Sequence, residues 1–210
     1  MTHALPYERV CNVRILPADQ GIREAIEVIH SGGIVAHATE TCYGFACDLT
    51  NPIACKHLYQ LKDRPDYLPV SALFLSIEAT EEWVIWNEQA MKLAQQNFPG
   101  PLTIILPLQR DVFPHLPERT LGIRISSFPL AMMLAQESGT PLSTTSANVH
   151  GAQNPYSAEE ILEQFRDRKH QPDLILDSGT LPRVEASTVV SVMNGTMQIV
   201  RQGSIEIPIP

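Results

Sequence analysis

The sequence has no long apolar run and few basic residues. Charged residues, proline or glycine interrupt every apolar stretch before the roughly 18 residues that a membrane-spanning helix requires, so we expect no membrane segment. The first ten residues lack a cationic head followed by an apolar stretch, which predicts no export signal and a cytoplasmic protein. Lys and Arg total 15 against 23 Asp and Glu, for a formal net charge of -8. Because phosphate neutralisation drives nucleic-acid binding, we expect at most weak RNA binding, confined to a local basic cleft.

Cysteine and histidine are too sparse and too scattered to predict a metal site. The four cysteines form no C-x-x-C pair and have no histidine at zinc spacing, and none of the seven histidines forms an H-x-x-x-H pair. We therefore expect no structural metal. In a reducing compartment the cysteines are predicted to be reduced, partly buried thiols; they are Cys11, Cys42, Cys47 and Cys55.

Signature motifs of several common enzyme classes are also missing. The chain contains no G-x-x-x-x-G-K-[ST] phosphate loop, no G-x-G-x-x-G dinucleotide motif, no G-x-S-x-G nucleophile elbow and no H-E-x-x-H zinc motif. These absences argue against P-loop nucleotide hydrolases, Rossmann dehydrogenases, α/β-hydrolases and zinc peptidases. Any chemistry must therefore depend on other groups of residues.

What the sequence contains is the pattern of a single mixed α/β domain. With 210 residues, of which 44% are hydrophobic, the chain can bury a sizeable core, and we find no domain boundary within 1–210. Helical and strand patterns alternate along it. Helices are predicted over 19–31, 51–62, 80–96, 129–138 and 157–165, and strands over 34–36, 70–75, 102–106, 121–125, 174–176, 187–192 and 197–200.

A few residues predict where these elements begin and end. Asp19, Asn51 and Ser157 are predicted to cap the helices that follow them. The Asn-Gly pair at 194–195 predicts a hairpin between the last two strands, so the sheet must combine parallel with antiparallel pairs. The proline-rich stretch 107–117 is interpreted as a surface loop.

Two polar clusters follow the ends of predicted elements. The segment 39–44 follows a buried strand, where open α/β sheets bind ligands; it is either a ligand site or an ordinary turn with a capping threonine. Lys62 and Arg64 follow a helix. Two such cations could clamp a carboxylate or phosphates, but for this segment alone a basic helix C-terminus stabilised by the helix dipole is the simpler interpretation.

Polar residues further along the chain also carry two interpretations each. Arg124 lies in an apolar strand, and because an unpaired buried charge is costly, it must meet either a carboxylate or an anionic ligand. The run 143–148 offers hydroxyls and an amide to phosphate oxygens, or it forms a Ser/Thr turn. Ser187 begins one strand of the predicted hairpin and Arg201 ends the other. We expect them at opposite ends of the hairpin, so that only the tertiary fold can bring them together.

These clusters share one chemical character. They supply cations, hydroxyls and glycines, but no obvious nucleophile or proton relay. This favours positioning and electrostatic stabilisation over covalent catalysis. The residues alone therefore predict an α/β domain that binds an anionic ligand or a nucleotide.

Seven segments carry a family resemblance and extend from about residue 20 to residue 203. They are SGGIVAHATETCYGFACD, KDRP, FPGPLTIILP, TLGIRISSFPLA, PLSTTSANVHG, STVVSV and IVRQG. In this order they resemble the YrdC-like family, the threonylcarbamoyl-AMP synthases of tRNA modification. The resemblance implies a twisted mixed sheet with flanking helices and a concave positive cleft. It also implies that L-threonine, bicarbonate and ATP are joined into threonylcarbamoyl-adenylate and pyrophosphate, and that other tRNA-modifying proteins then transfer the group to the adenosine at position 37 of tRNA.

The resemblance assigns roles to individual residues by their family positions. The threonine-binding residues would be Thr41, Arg124, Thr144 and Ser187. The ATP-binding residues would be Arg64, Thr120, Ser146, Asn148, Asn154 and Arg201. Lys62 and Arg64 would act in catalysis by adding positive charge near the phosphates. Mg²⁺ would arrive with ATP as part of the substrate, and no metal would be held by the protein itself.

Two leucines depart from the family pattern. Leu68 stands where members commonly carry a second lysine, and Leu73 stands where some carry a threonine-binding histidine. These departures bring the chain toward an alternative, a YciO-like paralogue that binds nucleotide or RNA in the same cleft without synthesis. If ATP binds in the family pose, residue 68 should face the triphosphate; the rival expectation is that Arg183 supplies the missing charge.

Overall fold

The computed structural model describes residues 13–208, apart from 67, 110–112, 114–115, 117–118 and 194. The described residues form helices and strands in alternation. The helices are α1 (Ile22–His30), α2 (Pro52–Leu61), α3 (Glu88–Asn97), α4 (Pro129–Ser138) and α5 (Ala158–Phe165). The strands are β1 (Arg14–Pro17), β2 (Val35–Ala38), β3 (Tyr43–Ala46), β4 (Ser71–Leu73), β5 (Leu102–Pro107), β6 (Thr120–Arg124), β7 (Leu142–Ser143), β8 (Thr145–Ser146), β9 (Leu174–Asp177), β10 (Thr188–Met193) and β11 (Thr196–Arg201).

The strands form two sheets rather than the one that the sequence predicted. The five-stranded sheet has the order β1-β9-β2-β3-β8, and the six-stranded sheet has the order β11-β10-β5-β6-β4-β7. Both contain parallel and antiparallel pairs, so the prediction of a mixed α/β fold is confirmed. Strands β7 and β8 are separated by Thr144 alone, and the chain passes there from one sheet to the other.

Each sheet has its own hydrophobic core. The core of the five-stranded sheet includes Phe45 and Phe165, whose rings meet edge to face with centroids 5.6 Å apart. The core of the six-stranded sheet is built on β5, β6 and β10. Helix α2 contributes to both cores, with Leu58 in the first and Tyr59 in the second. The end of α2 therefore lies where the two sheets meet.

Several helix ends lie where the sequence predicted them. The side chain of Asn51 accepts hydrogen bonds from the first turn of α2, and Ser157 does the same for α5. Helix α4 ends at Gly139, whose φ of 65° places it in the left-handed region that favours glycine. The antiparallel pairing of β10 with β11 confirms the predicted hairpin, with Gly195 at φ 76°. Asn194 and most of the predicted loop 107–117 lie outside the described residues.

Two helix predictions are wrong at their starts. The helix predicted over 80–96 begins only at Glu88, because Thr80 ends a short 3-10 turn and accepts a hydrogen bond from the Trp86 indole at 2.8 Å. Asn87 then caps α3 through its side chain. Helix α1 begins at Ile22, after Gly21, so Asp19 does not cap it.

The sequence also predicted partly buried cysteine thiols and no membrane segment. Cys42, Cys47 and Cys55 are buried, whereas Cys11 lies outside the described residues. None of the helices in the described ranges is long and apolar enough to span a membrane.

Candidate active site

A cavity of about 210 Å³ lies at the junction of the two sheets. Its walls come from the loop after β2, the segment after α2, the end of β6, the β7–β8 junction and the open end of the β10–β11 hairpin. Eight of the residues that the family resemblance singled out line it: Thr41, Arg64, Arg124, Thr144, Ser146, Asn154, Ser187 and Arg201. The fold therefore brings together residues that are far apart in the sequence.

The loop 39–42 places Thr41 in the cavity wall. The Thr39 hydroxyl donates to the Cys42 carbonyl at 2.7 Å and accepts from the backbone N–H groups of Thr41 and Cys42 at 3.2 and 3.3 Å. Both interpretations of this segment thus apply, because a threonine-stabilised turn positions a lining residue. Burial raises the pKa of Cys42, which keeps the thiol protonated and makes it a poor nucleophile.

Arg124 meets a carboxylate and also lines the cavity. Its Nη2 donates to Glu40 Oε1 at 2.9 Å and to the Thr41 hydroxyl at 2.8 Å. Glu40 receives a second hydrogen bond, from the Ser126 hydroxyl. Burial alone would raise the pKa of Glu40, but the Arg124 charge and the hydrogen bonds from Ser126 and Arg124 hold it below its ordinary value. Glu40 is therefore ionised at neutral pH.

Lys62 supports the cavity wall from behind. Its side chain is only 3% exposed, and its ammonium donates to the Ser146 carbonyl, to the Asn148 carbonyl at 2.7 Å and to Asn148 Oδ1 at 3.1 Å. Three oxygens match the three donors of an ammonium group. Burial, together with the smaller effect of the nearby Arg64 charge, lowers the pKa of Lys62 to about 7.

Asn148 is the second residue behind this wall. Its Oδ1 accepts from the Ser146 hydroxyl at 2.6 Å, and its Nδ2 donates to the Ala152 carbonyl at 2.6 Å. Lys62 and Asn148 are not among the residues that line the cavity. They hold the backbone and hydroxyl of Ser146, which does line it.

Arg64 and Arg201 bring cationic groups to the cavity without carboxylate partners among the described residues. Arg64 Nη2 donates to the Pro69 carbonyl at 2.5 Å. Arg201 Nη2 donates to the Ser187 carbonyl at 2.7 Å and to its hydroxyl at 3.0 Å. Burial lowers the pKa of both guanidinium groups, but arginine remains protonated in proteins.

The expectation that Ser187 and Arg201 lie at opposite ends of the hairpin is wrong. The two strands are antiparallel, and Val189 pairs with Arg201. The start of the first strand and the end of the second therefore share the open end of the hairpin. No further tertiary arrangement is needed to bring Arg201 against Ser187.

Several residues singled out from the sequence do not reach the cavity. Thr120 begins β6 opposite Pro107, whereas Arg124 ends the same strand, which places their backbones roughly 13 Å apart at about 3.3 Å per residue. Leu73 is buried in β4. Arg183 pairs with Glu160 on the surface.

Leu68 is not among the lining residues either, although the neighbouring Pro69 is. Leu68 is half-buried, and its carbonyl accepts a hydrogen bond from the Tyr59 hydroxyl at 2.8 Å. The expectation that residue 68 faces a triphosphate therefore has no support in the geometry of the cavity.

Sequence reasoning missed the roles of Glu40, Ser126 and His37. Glu40 stood in a quoted polar segment, and Arg124 required either a carboxylate or an anionic ligand, but nothing in the sequence identified the pair. His37 is fully buried in β2, and its Nδ1 lies 3.0 Å from the Ala38 carbonyl, while Nε2 has no hydrogen-bond partner. Desolvation lowers the pKa of His37 to about 4, so its ring is neutral.

The cavity is cationic although the whole chain is acidic. Three arginines line it, and none of its lining residues is acidic. Hydroxyl groups from the β2–β3 loop, β4, β5, the β7–β8 junction and the residue before β10 complete a set of donors suited to carboxylate and phosphate oxygens. The described residues contain no cluster of three or more metal-ligating side chains.

Comparison with known proteins identifies a family model and a close set of relatives. The model Sua5_yciO_yrdC, described as "Telomere recombination", matches residues 27–203. The chain is 32% identical over 191 residues to the threonylcarbamoyl-AMP synthase of Bacillus subtilis (strain 168), and the match covers 89% of this chain and 54% of that relative. The chain thus spans about half the length of this relative.

Two solved structures share the fold. The crystal structure of P. abyssi Sua5 complexed with L-threonine has a TM-score of 0.80 and 30% identity, covering 91% of this chain and 56% of that chain. The crystal structure of E. coli YciO has a TM-score of 0.78 and 26% identity, covering 90% of this chain and 92% of that chain. These matches confirm the resemblance drawn from the seven sequence segments.

Proposed function

Because the chain belongs to the Sua5/YciO/YrdC family, we propose that it is a threonylcarbamoyl-AMP synthase that uses L-threonine, bicarbonate and ATP. The observation that carries the proposal is the single cavity in which Arg124, Arg64 and Arg201 converge with hydroxyl donors from both sheets. Its product would be threonylcarbamoyl-adenylate, which downstream proteins would use to modify the adenosine at position 37 of tRNA.

The part of the cavity around Arg124 suits an amino acid. Arg124 offers guanidinium N–H groups to the threonine carboxylate, and its position is held by Glu40 and Thr41. Thr144 and Ser187 add hydroxyl groups within the same cavity, and such groups can both donate and accept. A ligand that carries a carboxylate, an amine and a hydroxyl matches this set of partners.

The two remaining arginines of the cavity suit phosphate groups. Arg64 and Arg201 keep their charges unpaired by carboxylates of the described residues, and Ser146 and Asn154 add polar groups. Lys62 acts from behind this wall, through Ser146 and the added positive potential. ATP would bring its own Mg²⁺, which neutralises phosphate charge.

The chemistry requires positioning more than a protein nucleophile. Threonine and bicarbonate form a carbamate with loss of water; a carbamate oxygen then bonds to the α-phosphorus as the bond to pyrophosphate breaks. The protein's contribution is to hold the two reactants in line and to stabilise the negative charge of the departing pyrophosphate. The three arginines and the hydroxyl groups that line the cavity would serve both tasks.

The second candidate is a YciO-like protein that binds nucleotide or RNA without synthesis. The match to E. coli YciO favours it, because that match extends over nearly all of both chains. The presence of all three cavity arginines favours the synthase.

Pyrophosphate release distinguishes the two candidates. Purified protein is incubated with ATP and Mg²⁺, with and without L-threonine and bicarbonate, and pyrophosphate is measured. The synthase proposal requires release that depends on both threonine and bicarbonate and that is lost in Arg124→Gln. The matched control is Arg23→Gln on the exposed face of α1, which should retain the activity. ATP binding without threonine-dependent release would support the second candidate.

A further inference from the structure

Glu40 gives the cavity a negative charge that its lining residues lack. It does not line the cavity itself, but its Oε1 accepts from Arg124 Nη2 at 2.9 Å. Of the three lining arginines, Arg124 is the one paired with a carboxylate, within the part of the chain that the structure describes. Arg64 and Arg201 donate to neutral carbonyl and hydroxyl oxygens instead. The cavity thus has one neutralised arginine and two whose charges are uncompensated.

The ion pair is held firmly from both sheets. Glu40 belongs to the loop after β2 of the five-stranded sheet, and Arg124 ends β6 of the six-stranded sheet. The side chains of Arg124 and Glu40 are only 11% and 14% exposed. The Ser126 hydroxyl, which is fully buried, binds the second carboxylate oxygen. Because water has little access, the charge of Glu40 acts on the cavity with little screening.

We propose that Glu40 determines which ligand charge the Arg124 end of the cavity accepts, favouring a net-neutral amino acid over a phosphate group. Glu40 is a positioning and specificity residue, since it acts through Arg124 and does not line the cavity. The proposal rests on the synthase function, in which this end receives threonine. In this proposal, one buried carboxylate makes the region around Arg124 prefer the amino acid to a phosphate group.

The physical reason is the net charge of each ligand. The paired Arg124 still offers hydrogen bonds to a carboxylate, but the pair as a whole carries no net charge. Zwitterionic threonine is net neutral and gains little from added positive potential, whereas a phosphate group with about two negative charges gains much. Without Glu40, phosphate would compete with threonine for Arg124.

Removal of the Glu40 charge tests this directly. Glu40→Gln keeps the shape and one acceptor oxygen but loses the negative charge. Isothermal titration with L-threonine and with inorganic phosphate, and phosphate competition against threonine, are compared with the wild type. We expect phosphate affinity to rise about tenfold, as one added unit of charge in a poorly screened site would give, and threonine affinity to stay unchanged or fall. Phosphate affinity that stays unchanged, or falls together with threonine affinity, overturns the proposal.

Two control variants separate charge from structure. Ser126→Ala removes a hydrogen bond to Glu40 but keeps the carboxylate, so the preference for threonine over phosphate should not change; a tenfold phosphate gain here contradicts a charge effect. Glu160→Gln removes a carboxylate that pairs with Arg183 on the surface, and both affinities should remain those of the wild type.

A double variant keeps the proposal testable if Glu40→Gln does not fold. Arg124→Lys, which keeps a positive charge beside Glu40, is compared with Glu40→Gln/Arg124→Lys, and phosphate should bind more tightly to the double variant because the opposing carboxylate is gone. Equal affinities refute the proposal. Failure of the wild type to bind threonine would instead count against the synthase function, since the phosphate comparison does not depend on threonine.

Discussion

Acidification from pH 7 to pH 5 is expected to destabilise the protein through His37. The ring is fully buried, and Nε2 has no hydrogen-bond partner. The pKa of His37 is lowered from 6.5 to about 4, mainly by desolvation and to a smaller extent by the Arg124 charge, while the Ala38 carbonyl and Glu40 act in the opposite direction. Protonation of the folded state is therefore strongly disfavoured above pH 4.

The magnitude follows from the two pKa values. Above pH 6.5 the ring is neutral in both the folded and the unfolded state, so the contribution of His37 to stability is fully present. As the pH falls from 6.5 towards 4, the unfolded chain binds a proton that the folded protein does not, and stability is lost. The loss is about 1.4 kcal/mol per pH unit within that window. Between pH 7 and pH 5 it amounts to about 2 kcal/mol, a large fraction of the roughly 5–15 kcal/mol typical of a folded domain.

Urea unfolding at pH 7 and pH 5 measures this loss. His37→Gln removes the titrating group, and His150→Gln at an exposed position is the matched control. The wild type and His150→Gln should each lose about 2 kcal/mol more than His37→Gln on acidification. Equal losses in all three proteins would refute the assignment of the effect to His37.

The remaining predictions concern the cavity wall and its ligands. Lys62→Met should lower the free energy of unfolding by about 2–3 kcal/mol, because three buried oxygens lose their donor; urea unfolding measures it, and an unchanged stability contradicts the role assigned to Lys62. Arg64→Ala should weaken ATP binding, measured by calorimetry, about tenfold through loss of a charge-assisted contact. Leu68→Lys should change ATP affinity less than about twofold. A tenfold gain in Leu68→Lys would place residue 68 at the phosphates after all. Double-stranded RNA should bind weakly and dissociate at about 0.2 M salt, so a complex that persists there in a gel-shift assay contradicts the expectation from net charge.

Local chemistry accounts for the parts of the fold that the sequence predicted well. Asn51 and Ser157 cap helices through hydrogen bonds within three residues, and Gly139 ends α4 through its own backbone conformation. The short strands β1, β7 and β8 were not predicted, because their pairing partners are far away in the chain. Strand β3, which pairs with the neighbouring β2, was also not predicted. The segment 80–96 carried a helical pattern, but the Trp86 indole binds the Thr80 hydroxyl in a non-helical turn.

At the site, too, the sequence predicted which residues lie there but not which contacts they make. The family pattern found eight of the residues that line the cavity, since motif positions record the outcome of folding. It did not reveal that Arg124 pairs with Glu40, because the two are 84 residues apart. It also did not show that Lys62 lies behind the wall with its three donors already occupied. Burial and hydrogen-bond partners of this kind are properties of the tertiary structure alone.

The most direct test of the synthase proposal is detection of its product. The protein is incubated with ATP, Mg²⁺, L-threonine and carbon-13-labelled bicarbonate, and the mixture is analysed at once by mass spectrometry. The proposal predicts a threonylcarbamoyl-adenylate ion that is heavier by one mass unit than the ion from unlabelled bicarbonate, and that is absent with Arg124→Gln. Recovery of ATP unchanged, with no adenylate ion of either mass from wild-type protein that binds both ATP and threonine, would contradict it.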